Sequence, residues 1–284
     1  MSGPAPDVWP SDPCAFALQD RFRQAAVAGD IEALRSLLQA HGTLLAAGDR
    51  MAGLQIISWG EARLDTADFA LLQSAFQDDI GLTADLLPPD AQAGAALQRA
   101  IPDLLDRLGT VLPAWAQEFR AMVRWVVLAQ SSQGGFAGAS AFAAWGAILV
   151  NPAVQNDALT LAMTLIHESS HLKLFSAYLD DEIVLNDPDE TYASPLRIER
   201  RPMNGLYHAA FVLARMACFL DDLRQSGRAE AVLGVAQSGL EVALQAAVSD
   251  FGEAYDVIRS HGNLTETGHA IIAAAATATQ AIRG

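Results

Sequence analysis

Residues 167–171 read His-Glu-Ser-Ser-His and lie inside an apolar segment, with 159–166 before them and 172–175 after. A helix of that composition buries most of its surface, and imidazoles taken out of water need partners. At 100° per residue, positions 167 and 171 lie about 40° apart around the helix and one turn along it, so both can bind a single metal ion. The fold is constrained accordingly. The helix must pack between other apolar elements, and one of these has to bring a further polar group to the imidazoles. Glu168 falls to one side of the pair, where it can reach a metal-bound water or brace a ligand.

The rest of the chain supplies such elements. Alanine and leucine dominate, and Gly and Pro fall mostly between long apolar-periodic segments, which argues for helices. Helical patterns run over 15–47, with Gly29-Asp30 as a break and cap, and over 62–77, 90–107 and 113–131. Paired glycines and a short apolar run mark 131–151 as a strand or hairpin. Asn156-Asp157 caps the helix of the His-Glu-Ser-Ser-His motif, which is expected to end near Leu179 before an acidic, proline-containing stretch over 180–190. A loop rich in proline and arginine follows over 192–202, then helices over 205–223, within 228–259 and over 265–283. The expected fold is mainly α. It is a multi-helix domain with a small β-hairpin or sheet near 135–151 and the metal site between two buried helices. An N-terminal helical region, 1–110, leads softly into a metal-binding region, 111–284.

Composition narrows the function. Of 284 residues, 51% are hydrophobic and 18% charged, enough for a sizeable core. Eighteen Lys and Arg against thirty-three Asp and Glu leave a net charge of −15, which opposes a non-specific hold on nucleic acid or an anionic membrane. The two cysteines, Cys14 and Cys218, are too few and too scattered for a disulfide framework or a thiolate metal site. The first fourteen residues lack the basic start and apolar run of a secretory signal. A soluble protein in a reducing, cytoplasmic compartment is expected.

A metal held by two imidazoles needs a third ligand and an open position. Asp189 or Glu190 roughly fits the spacing of zinc peptidases, although both sit in a turn-forming acidic loop. His208, inside the apolar helix of 206–220, is the other candidate. Arg215 follows it by seven residues on nearly the same face and is the only charged residue of that stretch. It needs an anion, either a structural carboxylate or a bound ligand. Arg197, Arg200 and Arg201 concentrate positive charge beside Tyr192 and Ser194, a pattern suited to a small dicarboxylate or to neighbouring acids. His41, His261 and His269 are expected at the surface, and Trp125 and Trp145 in the core or a pocket wall.

These residues occur in an ordered set. His167-Glu168-x-x-His171 precedes Tyr192-Ala-Ser-Pro195-Leu-Arg197-x-x-x-Arg201-Pro202, then Gly205-Leu206-Tyr207-His208, and finally Leu264-Thr265-x-x-Gly268. The set resembles the H-E-x-x-H peptide-modification proteins, the 2-oxoglutarate-dependent β-hydroxylases of ribosomally made precursor peptides, over about residues 130–270. The chain departs from that pattern at Leu196, Arg200 and Met203. The resemblance implies Fe(II), 2-oxoglutarate and O₂ as cofactor and co-substrates, a precursor peptide as partner, and a β-hydroxylated residue, succinate and CO₂ as products. It also implies His167 and His171 as iron ligands with His208 as the third, and Arg197 and Arg201 as candidates for the co-substrate carboxylates; Arg215, as a lone charge on an apolar helix, is a further candidate to bind the co-substrate. Two other readings fit the motif: a Zn(II) metallopeptidase with Glu168 as general base, and a non-catalytic helical adaptor that binds a peptide.

Overall fold

The structure is a computed structural model that describes residues 13–28, 30, 33, 53–62, 66–80, 86–131, 135–179, 181–194 and 197–283. The fold is mainly α. Its chain contacts define two compact units, one from residues 8–102 with 118–156 and the other from 103–117 with 157–284. The two units interleave along the chain.

The first unit holds the sheet. Gln55–Ser58, Trp125–Leu128 and Ala147–Val150 pair in parallel, and Gly138–Ser140 adds an antiparallel edge to the last of them. The hairpin expected near 135–151 is thus present, as part of a larger sheet. The helical pattern expected over 113–131 is corrected: the helix Pro113–Met122 stops, and Trp125–Leu128 is a central strand with every residue buried. A parallel strand covered on both faces shows a continuous apolar run, which imitates a buried helix. Helices Pro13–Ala28 and Thr66–Ile80 accompany the sheet. The second N-terminal helix expected before residue 47 lies outside the described residues, apart from an Asp30 carboxylate that accepts from the Ala33 N–H at 3.0 Å.

The second unit carries the motif. Asp157 caps its helix by accepting from the Thr160 N–H at 2.7 Å, and the helix runs over Ala158–Tyr178. The loop expected over 192–202 is instead a two-stranded hairpin, Thr191–Ser194 against Arg197–Pro202, with an irregular register between Tyr192 and Ser194. Its charged, proline-bounded strands lack the apolar alternation that marks a strand in sequence. Pro202 then leads directly into Met203–Ser226, a helix closed by Gly227 in the left-handed region at φ 63°. Helices Gln237–His261 and Glu266–Arg283 pack on it through Tyr207, Ala210, Phe211, Ala214, Phe251, Ala254, Ile272 and Ala275. Met203–Ser226 has the length and hydropathy of a membrane span, yet most of it is buried inside the protein, as in a core helix.

The acidic segment after the motif helix is strapped to the start of the last helix. Leu185 N–H donates to Asn263 O at 2.7 Å, Thr265 N–H to Ile183 O at 3.0 Å and Thr265 Oγ1 to Asp181 Oδ2 at 2.8 Å. This strap holds Ile183 at φ 64°, fully buried, in a conformation that β-branched residues rarely adopt. Gly268 permits the close approach, because a Cβ there would stand 2.5 Å from the Ile183 carbonyl oxygen. The Tyr207 hydroxyl donates to Gly268 O at 2.8 Å and ties the strap to the long helix. The spacing Leu264-Thr265-x-x-Gly268 is therefore the signature of this strap. Gly268→Ala is expected to cost about 1–3 kcal/mol, as overpacking does, seen as a lower thermal midpoint by circular dichroism.

Candidate metal centre

Three imidazoles meet between the helices Ala158–Tyr178 and Met203–Ser226. His167 and His171, one turn apart, place their Nε2 atoms 3.2 Å from each other. Two ligands at right angles on an ion with metal–nitrogen bonds near 2.1 Å stand about 3.0 Å apart, so the spacing suits a shared ion. The Glu168 carboxylate belongs to the same group: one ligand atom from each of His167, Glu168 and His171 lies within 4.8 Å of the others. Glu168 is buried, at 5% exposure, and so belongs to the core of this site rather than to its rim.

His208 joins from the second helix, but on the other side of His171. The two rings stack at 5.5 Å with their Nδ1 atoms 3.3 Å apart. His171 thus turns a different nitrogen to each neighbour, and His208 lies beside the close group of His167, Glu168 and His171 rather than within it. Phe175 and Tyr178, one and two turns beyond His171, pack on the His208 ring at 5.8 and 5.2 Å. These rings cover part of His208, and Phe175 also stacks on His171, so the imidazoles are half-buried. Burial holds His167 and His208 down to about pKa 4, with the Arg201 charge adding to the effect at His208. His171 falls well below the ordinary value for the same reason, reinforced by His167, His208 and Arg201. At neutral pH all three rings are uncharged and keep a lone pair for a metal.

The arginines separate into distinct roles. Arg201 lines a cavity of about 830 Å³ together with Tyr178 and Asn204; the imidazoles do not line it, but Tyr178 packs on the His208 ring and the Arg201 charge acts on His171 and His208. Its guanidinium lies over Gly205, where a Cβ would come within 3.2–3.3 Å of it. The interval from Arg201 to Gly205 therefore makes room for the guanidinium. Arg215 is placed elsewhere. At 1% exposure it donates from Nε to Ser170 Oγ at 2.9 Å, and its guanidinium sits 4.7 Å over the Trp115 ring. Ser170 in turn donates to Ile166 O at 2.6 Å, so Arg215 braces the turn that carries the two histidines. Arg200 turns back on Thr191 O and is exposed. The Arg197 side chain lies outside the described residues, but its register partner Ser194 keeps a buried hydroxyl without a hydrogen-bond partner among the described residues.

Asp189 and Glu190 are exposed, and neither joins the imidazoles; Glu190 accepts from the Tyr192 hydroxyl at 2.7 Å. His261 and His269 are exposed, and Trp125 and Trp145 are buried in the core. His41 lies outside the described residues. Sequence reading passed over Tyr178 and Asn204, which join by a hydrogen bond from the Tyr178 hydroxyl to Asn204 Oδ1 at 2.6 Å. Tyr178 stands seven residues after His171, hence on its face of the helix, and that spacing was the available signal. No protein-family model matches the chain, and no curated protein matches it.

The depressed histidine pKa values set the response to acid. Between about pH 6.5 and pH 4 the unfolded chain binds protons that the folded imidazoles refuse, so stability rises with pH across that window and is lost as pH falls through it. Urea titrations of the metal-free protein are expected to give a midpoint that drops between pH 7 and pH 4. The dependence should be shallower in His167→Gln/His208→Gln than in the parent.

Proposed function

We propose that the chain is an Fe(II)- and 2-oxoglutarate-dependent oxygenase that β-hydroxylates a residue of a ribosomally made precursor peptide in the cytoplasm. The observation that carries this reading is the placement of a cavity-lining guanidinium, Arg201, beside a group of neutral imidazoles spaced for one metal ion. A 2-oxoglutarate enzyme needs a cation near its metal to hold the far carboxylate of the co-substrate, and a guanidinium suits that task. The resemblance in the ordered motif set points the same way.

In this reading His167 and His171 hold the iron, and Glu168 or His208 completes the protein ligands. When bound, iron with 2-oxoglutarate and O₂ supplies the oxidation that converts a C–H bond to a hydroxyl. Arg201 holds a carboxylate of the co-substrate. Arg215 and Ser170 keep the histidine-bearing turn in register. Phe175 and Tyr178 limit water at the imidazoles, which protects a reactive centre from side reactions.

One observation favours a second reading. Glu168 lies close enough to both imidazoles to deprotonate a metal-bound water, as a Zn(II) metallopeptidase requires. The two readings separate cleanly. Anaerobic addition of Fe(II) and 2-oxoglutarate to the metal-free protein is expected to produce a weak visible charge-transfer band. Arg201→Met should weaken 2-oxoglutarate binding, read from that band, by about 10–100-fold, the worth of a charge-assisted hydrogen bond, while iron content stays unchanged. His167→Ala/His171→Ala should lose the iron. A peptidase would show no band and would cleave peptides in its zinc form until Glu168→Gln silenced it.

A further inference from the structure

His171 faces two imidazoles, and the two contacts differ in kind. Towards His167 the Nε2 atoms stand 3.2 Å apart, with the ring centroids 5.0 Å apart and the planes at 65°. Two imidazoles whose lone pairs converge on one ion at about 2.1 Å, at that nitrogen spacing, have centroids about 5.0 Å apart. The pair therefore has the splay of two ligands on a common ion. Towards His208 the Nδ1 atoms stand 3.3 Å apart, but the centroids are 5.5 Å apart and the planes only 27° from parallel. A shared ion would bring these centroids to about 5.1 Å, whereas nitrogens meeting head-on across a hydrogen bond put them at about 5.6 Å. The near-parallel rings are thus offset so far that their nitrogens meet almost in line. An ion on that line, bonded to both at about 2.1 Å, would hold them about 4.2 Å apart. The space fits a proton and not a metal.

The direction of that hydrogen bond follows from the ion. A neutral imidazole carries one N–H and one lone pair, on different nitrogens that point apart. An ion shared with His167 takes the lone pair of His171 Nε2, which leaves the N–H of the His171 ring on Nδ1, facing His208. The His208 Nδ1 is then the acceptor, and it meets His171 on the side away from the ion. Its ring is steadied for this by the motif helix, since Phe175 and Tyr178 pack on it at 5.8 and 5.2 Å. The Tyr178 hydroxyl also donates to Asn204 Oδ1 at 2.6 Å, one turn before His208 on its own helix.

We propose that His208 is a positioning residue and not a metal ligand: its Nδ1 accepts the His171 Nδ1–H and so fixes the ring and the tautomer in which His171 Nε2 holds the metal. This departs from the third-ligand role that the resemblance implies. It leaves Glu168 as the remaining protein group of the close set, whose ligand atoms lie within 4.8 Å of one another. The role rests on the metal-binding half of the oxygenase reading and is the same for iron or zinc.

The test uses the full-length protein labelled with ¹⁵N-histidine and loaded with Zn(II). Long-range ¹H–¹⁵N correlation spectra read the tautomer and the metallated nitrogen of each ring, and single His→Ala variants at 167, 171 and 208 assign the rings in the metal-free spectrum. Two metallated rings are expected, His167 and His171, each through Nε2, with His171 protonated on Nδ1. The His208 ring should stay unmetallated, with its proton on Nε2. His208→Asn, whose Oδ1 replaces the acceptor, should hold Zn(II) within about threefold of the parent, while His208→Leu should bind it about 10–100-fold more weakly, measured by competition with a chromophoric chelator. A metallated His208, an equal loss in both variants or no loss in His208→Leu would overturn the proposal. Should His208→Leu not fold, the parent spectrum and His208→Asn decide. If the two-ring pattern appears and no charge-transfer band forms with Fe(II) and 2-oxoglutarate, the oxygenase reading fails and the role of His208 stands. A spectrum without any metallated ring would overturn both.

Discussion

Burying imidazoles inside an apolar helix is the constraint on which the rest of the second unit depends. The helix Ala158–Tyr178 is covered along most of its length, and His167 and His171 stand half-buried on it between buried neighbours. A lone buried imidazole would be a poor solution, because its ring nitrogens would lack partners. The chain answers with a second helix that brings His208 to His171 and Arg215 to the neighbouring Ser170. Met203–Ser226 thus makes two polar contacts, seven residues apart, on a face that is otherwise apolar. The hairpin before it and the two long helices after it fix its position along its length.

Electrostatics sharpens the same design. An acidic chain of net charge −15 offers few cations, and those of the second unit are deployed with contrasting tasks. Arg215 is spent on the Ser170 turn and the Trp115 face, whose indole N–H reaches Asp222 at 2.7 Å. Arg201 stays at a cavity wall, where its charge also helps keep His171 and His208 unprotonated. A guanidinium is suited to both tasks, since it remains charged when buried and presents a flat surface to an aromatic ring or to a backbone without a side chain.

The residues that define the site were legible because their types are costly in an apolar helix: histidines at 167, 171 and 208 and arginine at 215 stand out wherever burial is implied. What they do to one another was less legible. Arg215 was a candidate for a bound anion, and only packing reveals that its Nε meets Ser170. Tyr178 and Asn204 escaped notice, since a tyrosine at a helix end and an asparagine at a helix start are ordinary. In the first unit, Trp125–Leu128 hid because full burial erases the alternation by which a strand is recognised, and its partner Gln55–Ser58 stands some seventy residues away. The hairpin of 191–202 hid for the opposite reason: its short first strand and arginine-rich second strand carry too few apolar residues to show the alternation.

The interleaving of the two units has a consequence for the order in which the chain matures. Every strand of the four-stranded sheet has been made once Val150 is joined, so the first unit can close while the ribosome is still adding the motif helix. Residues 103–117 have no such option. Arg107 donates to Val232 O at 2.6 Å, and Trp115 waits for Arg215 and Asp222, a hundred or more positions later. The brace behind the histidines therefore forms only after the strands of the sheet have been made, and a nascent chain has no assembled metal centre until His208 and Arg215 have emerged.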